Sequence, residues 1–450
     1  MFTSRVLVGR FGRSALDTLA LSLALLLCLS VSLQAQTGAN LASTLTLSQA
    51  VQLSQQYSQQ MAAQEAAAQA ARHMAVAAGQ LPELTLKLGV NNLPVTGSDQ
   101  FSLTSDFMTM QSVGVMREFT RADKRQARTA RFEREAEVAD ANRDLAQTYL
   151  QRDTATAWLE RHFLERTLDL LQIQRTEAAL QVEATEAAYR GGRGSQTDVF
   201  AARSAVAWID DRMQQTQTQV RIATTRLVRW VGPLGHQALA ASPDLSVLAI
   251  NTGRLEDFLQ AHPQAAVMAR QEAAARAEAD IVRSEKKADW TVELMVNQRG
   301  PAYSNMASIN FSVPLQLNQG NRQDRELAAK LALVQQMQAQ REEANRERSA
   351  QIRAWLTQWQ GNRERLAAFD RLLLPLSQQR TQAALTAYRG NSNGGTLTTV
   401  LEARRMHIDT RMDQLRLEME TAGLWAQLNY LVTDGNQAAP LTQSVTAQGE

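Results

Sequence analysis

From Arg121 to Arg190 the sequence contains neither proline nor glycine, and such a run is far too long for one globular core. At 1.5 Å of rise per residue it would extend roughly 105 Å, several times the diameter of a small domain. The stretch from Asn321 to Arg389 repeats its composition, and both runs close on one tetrapeptide, Ala188-Tyr189-Arg190-Gly191 and Ala387-Tyr388-Arg389-Gly390. The chain makes a long helical object, and makes it twice.

Residues 1–35 are read as a secretory signal peptide and set aside. Arg5, Arg10 and Arg13 precede an apolar run at 19–33, and Gln34-Ala35 offers a cleavage point. The run is short for a spanning helix. Cys28, the only cysteine, lies inside it behind Leu27, where a lipidation site would need a small residue. Disulfides and cysteine metal sites are therefore not expected after cleavage. Removing the leader's three arginines and Asp17 from the totals of 47 basic and 45 acidic residues leaves the remainder balanced. A balanced chain argues against nucleic acid as the partner. No later apolar run is long enough for a spanning helix.

The two halves correspond in order as well as in composition. Gln64-Glu65-Ala66-Ala67-Ala68 recurs as Gln271-Glu272-Ala273-Ala274-Ala275, and Arg175-Thr176-Glu177-Ala178-Ala179-Leu180 as Arg380-Thr381-Gln382-Ala383-Ala384-Leu385. The tetrapeptides follow, and then Val199, Ala202 and Arg203 answer Val400, Ala403 and Arg404. Conserved order in this sense marks a duplication. We divide the chain into a first repeat at 36–250, a second at 251–435 and a flexible tail at 436–450.

Each repeat opens on a helix, about Leu47 to Gln80 in the first, and continues into alternating segments. Leu84, Leu86, Leu88 and Val90 oppose Thr85, Lys87 and Gly89; Trp290, Val292, Leu294 and Val296 oppose Thr291, Glu293 and Met295. Ile309, Phe311, Val313, Leu315 and Leu317 alternate with Ser308, Asn310, Ser312, Pro314 and Gln316, and the weakest segment sets Val113, Val115 and Phe119 against Ser112, Gly114 and Met116. Period-two patterning fits a half-buried strand, whether its apolar face meets a core or lipid. Polar loops, Pro94 to Asp106 and Gln298 to Met306, join each pair. Four strands cannot close a membrane barrel, whose smallest forms need about eight. Three chains would supply twelve, with the long helices continuing the wall as a tube.

Taken together, the element order, the duplication, the Tyr-Arg-Gly turns followed by Thr197-Asp198-Val199 and Thr399-Val400-Leu401-Glu402-Ala403-Arg404, and Val313-Pro314-Leu315 before Gly320-Asn321-Arg322 resemble the TolC family of outer-membrane efflux ducts. The resemblance covers essentially the whole mature chain. Within the family, the segments at 91–95 (NNLPV), 101–110 (FSLTSDFMTM) and 115–125 (VMREFTRADKR) look like the heavy-metal branch of the CzcC and CusC kind. The resemblance implies a mainly α fold with a membrane β-barrel: a homotrimer with a twelve-stranded barrel in outer-membrane lipid and a long periplasmic helical barrel. It also implies partners, a periplasmic adaptor and an inner-membrane proton-driven pump of the RND type. Such a protein is a passive conduit with no cofactor and no catalytic residue. A general duct for organic compounds or antibiotics is the alternative.

The glycines at the ends of the long runs, Gly191, Gly192 and Gly194, then Gly390, Gly394 and Gly395 with Asn391 and Asn393, let the chain reverse. The resemblance adds a docking role for the adaptor at Gly191, Gly194, Gly390 and Gly394. It also places Glu402 on a helix where the family often closes its entrance with carboxylates, and Thr399 where an aspartate is frequent. Asp198 is the counterpart of Thr399 in the first repeat. Three carboxylates around a narrow axis would favour cations. Glu402 could otherwise be a solvated charge, or tie to Arg404 and Arg405 in a salt-bridge lock.

Pro375 is expected to bend or break the second long helix, and Pro314 to mark a strand end or irregularity. His73, His162, His236, His262 and His407 are scattered without i, i+4 pairing, so no metal site is assigned. Met108 and Met110, two apart on an expected strand, would share a face of soft sulfur but are read as packing. A secreted fibre would not need strand pairs nested between helices. No nucleophile elbow, HExxH or phosphate loop suggests an enzyme.

Overall fold

A computed structural model describes residues 44–249, 258, 262–390 and 396–431. The expected leader and tail, the boundary at 250/251, and Gly394 with its neighbours Asn391, Asn393 and Gly395 lie outside the described residues. The element order is α1 (Leu47–Tyr57), α2 (Gln59–Ala78), β1 (Thr85–Asn91), β2 (Met110–Phe119), α3 (Ala122–Arg190) and α4 (Gln196–Val231). It resumes with α5 (Pro263–Glu285), β3 (Trp290–Gln298), β4 (Met306–Ser312), α6 (Gln323–Ala368), α7 (Leu374–Arg389) and α8 (Leu397–Asn429). Opening helix, strand pair, long helix and return helix thus occur twice, and a mainly helical fold carries one small sheet.

The run without proline or glycine forms a single helix of 69 residues, α3. The opening helix is less simple than its composition. Thr46 caps α1 with a capping box, its hydroxyl accepting from Gln49 N (3.2 Å) and its own N–H donating to Gln49 Oε1 (3.1 Å). The expected single helix is then broken at Ser58, whose backbone is extended. Just before the break, the Tyr57 ring packs over Gly232 at the end of α4, where a Cβ would lie 3.1 Å from it and φ is +69°. Only glycine suits that combination of positive φ and close approach.

The core sits where the middle of α3 meets the ends of α1, α4 and α8. Trp158, Leu159 and Phe163 of α3, Leu227 of α4 and Leu428 of α8 are all but fully buried there. Trp158 also donates its indole N–H to Leu45 O at 3.0 Å, so the one polar atom of the largest core side chain is satisfied. Around Pro375 the helix does not break. Phe369–Leu373 form one π turn, in which Leu374 N bonds back to Phe369 O, and α7 continues directly. The wider turn absorbs the steric demand of the proline ring and its missing N–H, so a π insertion takes the place of a break.

The four strands form one antiparallel sheet in the order β1-β2-β3-β4. Register pairs Leu88 with Val113 and Val113 with Val296, then Leu294 with Ile309 and Val292 with Phe311. The expected apolar positions that fall within the strands are therefore in line across the sheet. β4 ends at Ser312, short of the alternation that runs on to Leu317. Pro314 lacks the N–H that another ladder bond would require, so Val313, Leu315 and Leu317 keep the pattern without the strand.

Candidate functional site

Two features invite a functional reading: the sheet at one end of the molecule and the helix turns at the other. On the sheet, Leu86, Leu88, Val113, Val115, Leu294, Val296, Ile309 and Phe311 share one face, and all are exposed. Water would penalise such a face by roughly 25 cal/mol for each Å² of apolar surface left uncovered. The opposite face carries Lys87, Asn91, Ser112, Glu293, Asn297 and Ser308. Lys87 Nζ meets Glu293 Oε1 at 2.9 Å across β2, Asn91 donates to Ser112 Oγ at 2.8 Å, and Asn297 donates to Ser308 Oγ at 3.2 Å. Polar groups on that face satisfy one another. β1 and β4 each have a partner on one side only, so both sheet edges are open within the chain.

Ion pairs join the sheet to the helices. Lys124 Nζ, buried at the start of α3, bonds Asp289 Oδ2 at 2.6 Å just before β3, and Asp289 Oδ1 accepts from Arg121 N at 3.0 Å. Lys287 and Asp123 add a second contact of 3.1 Å. The strand-to-helix passage of the first repeat is thereby tied to the helix-to-strand passage of the second.

At the far end, α3 closes with Gly191 N bonded to Ala187 O (3.0 Å) and Arg193 N to Ala188 O (2.9 Å). The left-handed residue is Gly192, at φ +66°, whereas Gly191 and Gly390 are both right-handed. Gly194 packs against Ala188, whose Cβ lies 3.3 Å from where its own would be. Gly390 N bonds Thr386 O at 2.9 Å and ends α7 in the same way as Gly191 ends α3. Beyond the turns, Asp198 and Thr399 occupy equivalent third positions of α4 and α8. Asp198 completes a capping box with Ser195, accepting from Ser195 N and donating its own N–H to Ser195 Oγ, both at 3.1 Å. Those bonds hold its carboxyl below the usual range. Thr399 N donates to Thr396 Oγ1 at 3.1 Å. Each therefore starts its helix.

Glu402 is exposed on α8 and makes no ion pair among the described residues. The alternative of a lock to its neighbours is not formed within the chain: Arg404 binds Glu177 on α3, and Arg405 lies 3.7 Å from Asp409. An arginine two residues along a helix points away from Glu402, while i, i+4 brings Asp409 under Arg405. The repeat explains the choice of Glu177. Arg203, the counterpart of Arg404, pairs with Glu186 inside its own hairpin at 2.7 Å, but Leu385 stands where the counterpart of Glu186 would be. Arg404 instead reaches the other hairpin. A groove of about 430 Å³ surrounds that contact between α3, α4 and α8, with Trp208 and Ile408 on its walls. The Glu177–Arg404 contact escapes a reading based on spacing, although Leu385 is a visible sign that Arg404 lacks a local partner; Gly192 is legible as a turn glycine, but not as the left-handed one.

Met108 precedes β2 and donates its N–H to Asp106 Oδ1 at 2.7 Å, so it does not share a strand with Met110. Among the described residues no group of three or more His, Cys, Asp or Glu could hold a metal ion, and no helix is long and apolar enough to cross a membrane.

No protein-family model matches the sequence, and no curated protein matches it. Solved structures do match its fold, and they define an outer-membrane channel architecture. The outer-membrane channel OprN is 18% identical with a TM-score of 0.70, covering 86% of this chain and 89% of that one. VceC from Vibrio cholerae is 17% identical with a TM-score of 0.68 over 86% of this chain and 95% of its own. CusC is 14% identical with a TM-score of 0.71 over 86% and 92%. The chain has the fold of these channel proteins, the architecture expected from its duplicated hairpins and paired strands.

Proposed function

We propose that the chain is one protomer of a trimeric outer-membrane efflux duct, passive and without catalytic chemistry. The observation that carries this reading is the sheet, apolar and exposed on one face, polar and self-satisfied on the other, and open at both edges. In hydrocarbon every backbone polar group must be paired, so such a sheet is stable only when neighbouring copies join β4 to β1 and close a ring. Twelve strands from three copies would place the apolar face in lipid and the Lys87–Glu293 face around a wet lumen. The paired helical hairpins would extend this barrel through the periplasm to a tip that meets an adaptor and, through it, an inner-membrane RND-type pump. In this reading Gly191, Gly194, Gly390 and Gly394 belong to the adaptor-docking turns. Asp198 and Thr399 set the first turns of the tip helices, Arg404 holds the hairpins together through Glu177, and Glu402 is the carboxylate free to face the axis.

Light scattering on the detergent-solubilised protein should report a trimer. A monomeric particle that is soluble without detergent would sink the barrel.

For cargo, the reading is heavy-metal cations, with copper or silver ahead of cobalt, zinc or cadmium. The support is the resemblance of the segments at 91–95, 101–110 and 115–125, since CusC is no nearer in fold than OprN. A duct gains little by binding its cargo tightly, because ions must leave as easily as they enter. Accordingly, replacing Met108 and Met110 together by Leu should leave metal resistance intact, while deleting either tip turn should abolish it. A deletion strain that tolerates these metals but becomes sensitive to antibiotics would move the assignment to a general organic-compound duct.

A further inference from the structure

Arg117 does not belong with its neighbours. The register that puts Leu88, Val113 and Val296 in one line also puts Arg117 on that apolar face, opposite Val292 and two residues from both Val115 and Phe119. An arginine on a lipid-facing strand is destabilising at mid-bilayer and close to neutral at the interface. Its place settles which applies. Arg117 is two residues from the end of β2, and α3 begins at Ala122, so it lies at the level where the sheet gives way to the helical tube. Beside it Phe119 and Trp290 stack with centroids 4.3 Å apart and planes within 9°, and the Arg117 guanidinium carbon lies 5.9 Å from the Phe119 ring centre. Aromatic pairs at this level are interfacial residues, apolar in body and tolerant of polar surroundings.

The second observation is a missing partner. No carboxylate pairs with Arg117 among the described residues, and its Nε is buried without any hydrogen-bond acceptor. Lys124 and Lys287, at the same junction, each have a carboxylate. Glu118, next in sequence, points to the opposite face, because side chains alternate along a strand. With its Nε closed off from the surface, Arg117 can offer its two terminal Nη donors at the rim of the apolar face, and such a fork matches a phosphate oxygen pair.

We propose that Arg117, backed by the Phe119–Trp290 stack, binds the phosphate of a phospholipid headgroup in the leaflet that faces the helical tube. The inference rests on reading the sheet's apolar face as membrane-facing. Three bound headgroups, one per protomer, would fix the depth of the barrel in the bilayer.

The test is native mass spectrometry of the intact detergent-solubilised protein titrated with phosphatidylglycerol, with diacylglycerol and inorganic phosphate as comparison probes. Retention of phosphatidylglycerol, but not of diacylglycerol, is expected. Arg117→Gln should weaken retention roughly tenfold, the scale of one charge-assisted hydrogen bond, and Arg117→Lys should recover part of it. Equal retention by wild type and Arg117→Gln overturns the proposal, as does displacement of the lipid by equimolar inorganic phosphate, which would mark a free-anion site. Flotation with phosphatidylglycerol vesicles separates the two ideas. If both proteins float yet retain lipid equally, only the headgroup site fails; if wild type does not float, the membrane reading fails with it.

Discussion

The two long hairpins grow from one duplicated template and end up buried to different depths. Along α3 the buried side chains run from Lys124 to Ala178, through the centre of the molecule. On α6 only Val334, Ile352, Trp359 and Asn362 are buried, and on α7 none among the described residues. The duplicated pattern therefore specifies the order and length of elements, while burial determines which irregularities each copy tolerates. A π turn at Phe369–Leu373 is affordable on a peripheral helix. In the middle of α3 the same insertion would rotate Trp158, Phe163 and Leu171 out of the core.

The sharpest contrast lies at the entry helices, where Thr46 caps α1 and His262 caps α5. His262 Nδ1 accepts from Gln264 N (3.1 Å) and from the Arg348 guanidinium (2.7 Å), which places the proton of the neutral ring on Nε2. Burial, and then the charges of Arg348 and Arg152, push its pKa down to about 3. The folded chain thus keeps this ring neutral while the unfolded chain protonates it below the ordinary value of 6.5. Stability is full above that value and falls as the pH drops towards 3, by about 3 kcal/mol at pH 4. Urea unfolding at pH 7.5 and pH 4 should show this slope in wild type and much less of it in His262→Asn, which retains a capping acceptor. Thr46→Val should cost about 1 kcal/mol equally at both pH values. Identical pH slopes for wild type and His262→Asn would remove the contrast.

Next in size are the two tryptophans of the long helices. Trp158→Phe loses the bond to Leu45 O, a carbonyl that still accepts from Ala240 N at 3.1 Å, for about 1 kcal/mol. Trp359 is also buried, but its indole N–H has no partner, so Trp359→Phe should be close to neutral or slightly stabilising. Comparable losses in thermal unfolding would mean that both hairpins are equally core.

A smaller difference is expected at the tip. Arg203→Ala breaks a contact within one hairpin, whereas Arg404→Ala breaks the contact between hairpins; solvent screening keeps the stability loss small in either case. Their functional effects should separate more clearly. Arg404→Ala and Glu177→Gln should raise single-channel current in reconstituted protein, Arg203→Ala should not, and Glu402→Gln should reduce cation selectivity. Currents that stay unchanged in all of these variants would reduce the tip charges to solvated surface. Smallest of all, Pro375→Ala should restore an N–H and allow the π turn to relax into α-helix, read as slower amide exchange at 371–375 with little change in stability.

Much of this could be read in the sequence because it depends on local periodicity. The absence of proline and glycine predicts α3, alternation predicts the four strands, and the Tyr-Arg-Gly repeats place the turns. What escaped depends on contacts distant in sequence or on the backbone. The break at Ser58 belongs with Tyr57 packing over Gly232, far along the chain. The partner of Arg404 is 227 residues away. Continued alternation at Val313, Leu315 and Leu317 overextended β4, since hydropathy does not register a missing N–H. The gate assignment was legible only by resemblance, and the capping roles of Asp198 and Thr399 are what local geometry adds to it.

The open edges of the sheet carry a genetic consequence. If β4 of each copy must find β1 of the next, a ring with one defective member has an unsealed seam on either side of it, and its two sound companions are lost as well. A strand-truncated copy expressed beside the normal one should therefore act as a poison: at equal dosage and random mixing only about one ring in eight would be free of it, far below the half expected if the chains worked singly.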